Sequence, residues 1–218
     1  MRSGEVQKNR QETQIPSRAP TRIAVLVYPG VEPMDYQGPC GIFDLWHLEA
    51  KGPEVILVAE RAEPILCAYG RKIMPQYGFA NCPPFDALLI PGGTGRRQAA
   101  DEPTLLQFLK ERGELCEHLL SVCTGTFLLA AAGLISDHRV TTHWEFIDEL
   151  ARQNPRLCVQ GSERYIRDGN IWTAAGIYSG IDLALAFINA FEGTKRQDGS
   201  MRYNEAGDIQ VIAQYFPP

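Results

Sequence analysis

The residues best suited to chemistry in this sequence gather around Cys123. The run Leu119-Leu120-Ser121-Val122 stops at Cys123, and Thr124-Gly125-Thr126 leads straight into Phe127-Leu128-Leu129-Ala130. A short apolar run followed by a glycine-containing turn and an alanine-rich apolar segment reads as a buried parallel strand tightly coupled to a helix. Cys123 then sits on a nucleophile elbow, at or near the first residues of that helix. A thiol there lies beside unpaired backbone N–H groups and the positive end of the helix dipole, which favour thiolate. The same N–H groups can face an oxyanion. Cys123 is therefore the candidate nucleophile, and a cysteine packed as a small buried hydrophobe is the alternative.

Three other places carry residues that could serve such a thiol. Asp35, in Pro33-Met34-Asp35-Tyr36-Gln37-Gly38-Pro39, precedes a helical segment and reads as its N-cap. If it faces Cys123, burial and the nearby thiolate would raise its pKa, making it a general acid. Pro91-Gly92-Gly93-Thr94-Gly95 lacks the spacing of a dinucleotide or Walker loop. It reads as a tight turn, and an N–H from Gly92 or Gly93 could join that of Thr124 in an oxyanion hole. His143 follows a short strand, as a hydrogen-bonded structural histidine or as a base. His47, His118 and His138 show no ligand spacing with each other or with the cysteines, so no metal site is expected. Arg96-Arg97 reads as a solvent-facing pair, Asp44 and Glu49 as solvated helix charges, and Asp182 as a first-turn helix charge.

The elements that must position these residues alternate. Segments 21–28, 54–59, 86–90 and 119–122 are short apolar runs of buried strands, and 140–142 reads as a shorter strand before His143. Helical spacing covers 35–50, 103–112, 144–153 and 181–191. Segment 67–74 reads as a hairpin or edge piece. Asp168-Gly169-Asn170 is a hairpin turn between 164–167 and 171–173. The alternation predicts an α/β fold, a doubly wound, mostly parallel sheet flanked by helices, over 21–192. Ligands in such sheets bind beyond the carboxyl ends of the strands, so the ends that carry Asp35, Gly92-Gly93, Cys123 and His143 are expected to converge. Residues 1–20 read as a polar, disordered extension, and 193–218 as a tail whose apolar patch, 209–216, forms a last helix or an interface segment.

Composition narrows the function classes. The chain has 218 residues, 44% hydrophobic and 22% charged, with net charge −5, which suits one globular α/β domain. The negative balance and scattered basic residues give no reason to expect a nucleic-acid partner, and no apolar run reaches membrane-spanning length. The N-terminus lacks a signal-peptide core. The six cysteines match neither a disulfide framework nor a CxxC site, so a reduced, cytoplasmic protein is expected.

DALLIPGGTG, SVCTGTFLLAAAGLI, VTTHW and RDGNIWTAAGIYSGIDLAL, in that order, resemble the ThiJ/PfpI superfamily. Its fold is flavodoxin-like and glutamine-amidotransferase-like. The resemblance runs from about Arg22 to Phe191 and is greatest to the isonitrile hydratase branch and the related amidotransferase-like domains of certain AraC-type regulators. It implies Cys123 as nucleophile, Asp35 as the essential carboxylate and Thr124 as the active-site neighbour. It also implies a small-molecule substrate, a homodimer, and no metal or organic cofactor. The implied reaction hydrates an isonitrile to an N-substituted formamide through a Cys123 thioimidate. Thr124 stands where peptidase-like members carry histidine. His143 and VTTH resemble glyoxalase- and chaperone-like members, which typically carry glutamate where this chain has Asp35. Tyr178 stands where hydratase-like sequences usually have a small residue, and it is expected in the pocket. A ligand or redox sensor, and a glyoxalase or carbonyl-stress protein, are the alternatives.

Overall fold

The computed structural model describes residues 18–196 and 198–216. The extension expected over 1–20 therefore falls, up to residue 17, outside the described residues, as do the last two residues of the tail.

The first half alternates strands and helices. Strand β1 (Arg22–Leu26) leads to helix α1 (Pro33–Ala50) and strand β2 (Glu54–Ala59), followed by short strands β3 (Ile65–Leu66), β4 (Lys72–Ile73) and β5 (Tyr77–Gly78). Strand β6 (Ala87–Ile90) is followed by helices α2 (Arg96–Ala100) and α3 (Pro103–Gly113). Strand β7 (His118–Val122) then enters helix α4 (Gly125–Ala131) through the elbow. The remainder comprises β8 (Arg139–Val140), α5 (Ile147–Gln153), β9 (Cys158–Val159), β10 (Tyr165–Asp168), β11 (Ile171–Ala174), α6 (Ser179–Asn189) and α7 (Glu205–Ile212).

The main sheet runs β10-β11-β7-β6-β1-β2-β5. Its pairs are parallel except β10 with β11, the hairpin signalled by Asp168-Gly169-Asn170. Strands β1, β6 and β7 are buried almost throughout, which is why their sequences read as continuous apolar runs rather than alternating ones. The chain passes from β1 to β2 on one side and returns to β6 on the other, so the crevice beyond the ends of β1 and β6 is the topological switch point.

Several expected elements are shifted. Helix α1 begins at Pro33, whose ring suits the first helical position, and its N-cap is Glu32, whose side chain accepts from the Met34 N–H at 3.3 Å. Asp35 is thus not the cap but a first-turn residue with its carboxyl free for other partners. The expected strand 140–142 shrinks to Arg139–Val140 and pairs with β9 in a separate two-stranded sheet, so His143 does not extend from the main sheet. The expected helix 144–153 opens as a single 3-10 turn over Trp144–Phe146 before α5. The hairpin expected over 67–74 is the β3–β4 pair, which starts two residues earlier.

Helix α7 is tied down by Glu205, 6% exposed, whose carboxylate accepts from Trp46 Nε1 at 2.6 Å and from Arg202 at 2.7 Å. The expected solvent-facing pair Arg96-Arg97 is split. Arg96 is 6% exposed, lies 3.9 Å from the Phe127 ring centre and pairs with Glu149 at 3.0 Å, while Arg97 stays at the surface. Asp182 pairs with Arg164 and accepts from the Tyr215 hydroxyl at 3.0 Å, so it is more than a helix-dipole charge.

His118, at the start of β7, is 1% exposed. It is edge-on to Phe187 and Phe191, with ring centres 5.1 and 5.5 Å away, and neither ring nitrogen has a hydrogen-bond partner among the described residues. Burial, aided by Arg167, lowers its pKa to about 4. A histidine that binds its proton more weakly folded than unfolded costs stability as pH falls from its ordinary value near 6.5 toward 4. At pH 5 that cost is about 2 kcal/mol. In His118→Leu the drop in Tm between pH 7 and pH 5 should shrink by several degrees, read by thermal denaturation at both pH values. An unchanged drop would show that this ring is not what acid unfolds.

Candidate active site

Cys123 leaves β7 with φ +57, a left-handed conformation costing a non-glycine residue about 1–2 kcal/mol. Both of its backbone polar groups are held. Its N–H donates to the Ala174 carbonyl at 2.9 Å, and its carbonyl accepts from the Thr142 hydroxyl at 2.8 Å. A buried hydroxyl network backs the elbow. Ser121 meets Thr126 at 2.9 Å, Thr126 donates to the Thr141 carbonyl at 2.8 Å, and the Thr141 N–H donates to the Thr173 hydroxyl at 2.8 Å. These side chains are fully buried. They lock β7, the 141–142 segment and β11 together, which over-determines the strained cysteine. The sequence reading missed this network; threonine runs inside apolar strands were its only signal.

The turn is tight enough to exclude side chains. A Cβ on Gly125 would fall 2.0 Å from the Ile90 carbonyl oxygen, and one on Gly92 would fall 2.6 Å from the Thr124 nitrogen. Two glycines thus let the end of β6 lie directly against the elbow.

Asp35 is fully buried and reaches this place from the first turn of α1. Its Oδ2 accepts the Gly92 N–H at 3.0 Å, and its Oδ1 receives no N–H or O–H donor among the described residues. The Cys123 thiol lies close enough to the carboxyl that their interaction holds the acid down and the thiol up. Burial is the largest influence on Asp35, followed by the negative Glu32, and together they raise its pKa to about 7. Glu32, itself 8% exposed, was not among the expected site residues. The expected thiolate contribution to this rise is replaced by Glu32, because the protonated thiol carries no charge to repel the carboxyl.

The Cys123 thiol is pushed well above its ordinary value by burial first and by the Asp35 charge second. The N–H and hydroxyl of Thr124 pull the other way. The lowered thiol expected at a helix N-terminus is therefore overturned: at 8% exposure, desolvation outweighs the dipole of a seven-residue helix. The oxyanion-hole expectation for Gly92 and Gly93 also changes. The Gly92 N–H is bound to Asp35, and the Gly93 N–H donates to Thr124 Oγ1 at 3.2 Å. Both N–H groups orient catalytic-site side chains, and Thr124 is left as the donor directed at sulfur.

Cys123, Thr124, Gly93 and His143 line a cavity of about 400 Å³ together with Glu32 and Ile177. His143 Nδ1 accepts the Glu145 N–H at 3.3 Å, so its neutral form carries the proton on Nε2. Tyr178 is 64% exposed and does not line this cavity; Ile177 does. The chain turns into α6 at Tyr178, which sends its side chain outward. A second cavity, about 440 Å³, lies between the ends of β1 and β2 and helices α2 and α3. No cysteine or histidine among the described residues lines it, so the nucleophile decides in favour of the first.

The DJ-1/PfpI family model matches residues 21–190. The chain belongs to the DJ-1/PfpI family. Among its relatives is an isonitrile hydratase of Pseudomonas putida, 32% identical over 197 residues, covering 90% of this chain and 79% of that protein. A glutathione-independent glyoxalase of Caenorhabditis elegans is 25% identical over 158 residues, covering 69% of this chain and 80% of that protein. The crystal structure of a ThiJ/PfpI family protein from Pseudomonas syringae superposes with a TM-score of 0.79 at 29% identity, covering 100% of this chain and 83% of that one. The DJ-1/PfpI fold explains why a β7 elbow, a β6 glycine turn and an α1 carboxylate meet at one switch point.

Proposed function

We propose that this DJ-1/PfpI protein is a cofactor-independent cysteine enzyme that hydrates an isonitrile to an N-substituted formamide. The observation that carries the reading is the buried Asp35 carboxyl beside the Cys123 thiol, with its pKa raised to about 7. The similarity to the Pseudomonas putida protein supports the choice of substrate class.

The thiol–carboxyl pair releases its first proton near neutrality and holds the second far more tightly, since one buried negative charge opposes another. The remaining proton sits mainly on sulfur and passes to the carboxyl to form the nucleophile. In the thiolate–carboxylic acid form, donors from Thr124 stabilise the sulfur, and Asp35 has a proton to give. The sulfur attacks the terminal carbon of R–N≡C while Asp35 protonates that carbon, forming the thioimidate R–N=CH–S–Cys123. The Asp35 carboxylate then takes a proton from water as its oxygen adds to the same carbon, and passes that proton to the imine nitrogen. Collapse of R–NH–CH(OH)–S–Cys123 gives R–NH–CHO, and the hydroxyl proton returns to the leaving thiolate.

The test is direct. Purified protein with cyclohexyl isonitrile should yield the formamide, and acid quenching should trap a Cys123 adduct by intact mass. No formamide from any of several alkyl and aryl isonitriles would reject the reaction. His143 on the cavity wall and the glyoxalase relative favour one second reading, turnover of glyoxal. Glyoxal consumption that His143→Ala removes, without isonitrile turnover, would establish it instead. The six cysteines are free thiols, in keeping with a reducing cytoplasm. We place the protein there, as a homodimer that light scattering can check.

A further inference from the structure

One cavity residue has a backbone conformation that nothing in its own packing accounts for. Tyr69, on the turn between β3 and β4, has φ +61, where glycine or asparagine would sit with less strain. Its ring is 81% exposed, so burial does not offset the cost. The turn is nevertheless firmly held. The Cys67 N–H donates to the Arg71 carbonyl at 2.7 Å, the Ala68 N–H to the Val31 carbonyl at 2.9 Å, and the Gly30 N–H to the Leu66 carbonyl at 2.8 Å. Those contacts tie the hairpin to the loop that leads into α1, Glu32 and Asp35. Tyr69 and Glu32 both line the Cys123 cavity, along with Ile177 and Phe146. A strained, exposed aromatic pinned at the mouth of a reactive site is where function rather than stability retains a residue.

We propose that Tyr69 is a specificity residue whose ring forms the wall that receives the nitrogen substituent of the substrate, so that the site selects bulky apolar or aromatic R groups over small ones. Ile177 and Phe146 supply the other apolar surfaces of the cavity, and the hydrogen-bonded turn fixes where the ring stands. This assignment rests on the Cys123 reading above but not on hydration itself, because any electrophile that reaches the sulfur must pass the same wall.

Steady-state kinetics on cyclohexyl and methyl isonitrile, with the full chain and its variants, test it. Tyr69→Ala should raise KM for cyclohexyl isonitrile about tenfold, on the scale of losing one aromatic wall, with kcat changed less than about twofold. The KM for methyl isonitrile should rise less than about twofold. Tyr69→Phe should keep the preference for cyclohexyl, because the wall is the ring and not the hydroxyl, and Tyr69→Gly should lose it while its Tm stays equal to or above the parent's. Equal KM changes for both substrates, or none, would overturn the proposal. If neither isonitrile is turned over, alkylation of Cys123 by N-benzyl iodoacetamide and by iodoacetamide, followed by intact mass, decides separately. Loss of a benzyl preference in Tyr69→Ala supports the wall, and rates that fall equally for both reagents overturn it.

Discussion

Cys123→Ala should lower isonitrile turnover below about 10⁻⁴ of the parent rate, a loss of more than about 5 kcal/mol of barrier lowering. Cys123→Ser should fail almost as completely. Serine preserves the shape of the elbow and a hydrogen-bonding group, but its alkoxide forms far less readily than a thiolate in a buried site. The pair of variants separates the two readings that the local sequence leaves open. A cysteine that only fills space would tolerate either change with activity retained. Alanine and cysteine pay similar backbone strain at φ +57, so the fold should survive, and circular dichroism with a Tm within a few degrees would confirm that only chemistry was lost. Substantial formamide production by Cys123→Ala would end the nucleophile assignment.

The second large effect belongs to Asp35. Asp35→Asn should cut kcat by about 10²–10⁴-fold, the range for removing a positioned acid–base group, while making the protein more stable. The carboxyl's pKa is raised from 3.8 unfolded to about 7 folded. The native state therefore holds the proton more tightly than the unfolded state does. Stability from this group is fully present below about pH 3.8 and is lost as pH rises through about 7. Above that point the buried ionised carboxylate costs about 4 kcal/mol. Asparagine keeps an oxygen for the Gly92 N–H bond and carries no charge. Its Tm advantage should be near zero at pH 4 and reach roughly 10 °C at pH 8. The parent's kcat/KM should rise as pH increases through about 7, where the pair loses its first proton and becomes reactive, and that inflection should vanish in the variant. A Tm difference independent of pH would show that Asp35 is not the titrating group. Stability and activity thus oppose each other at one side chain, as expected of a site that holds a charge-forming group in a dry place.

Most of the sheet was legible because each strand writes its burial locally. Glu54–Ala59 was read to the residue, and β1, β6 and β7 differ from their expected ends by at most a few positions. A fully buried parallel strand is a continuous apolar run, and that run needs no partner to be seen. Helix starts were less legible where capping competes. Asp35 looks like a cap, yet Glu32 takes that role because Pro33 suits the first helical position. Strand 140–142 was overread because Thr141 and Thr142 are committed to side-chain and backbone bonds around the elbow, which a β-branched pattern does not distinguish from ladder pairing.

By itself the sequence determined the order of strand, elbow and helix at Cys123, the glycine turn after β6, and the carboxylate ahead of the first long helix. These follow from local pattern, since apolar runs, turn residues and glycines act over a few neighbours. Only the tertiary structure decided that Asp35 and Cys123 meet across 88 positions (123 − 35). It also decided that Glu32 is the second charge on the carboxyl, that the Gly92 and Gly93 N–H groups serve Asp35 and Thr124, and that Tyr69 rather than Tyr178 stands at the cavity. The reason is physical. A pKa and a hydrogen-bond partner depend on every charge, dipole and water-excluding wall around a group, and the fold assembles those from distant parts of the chain.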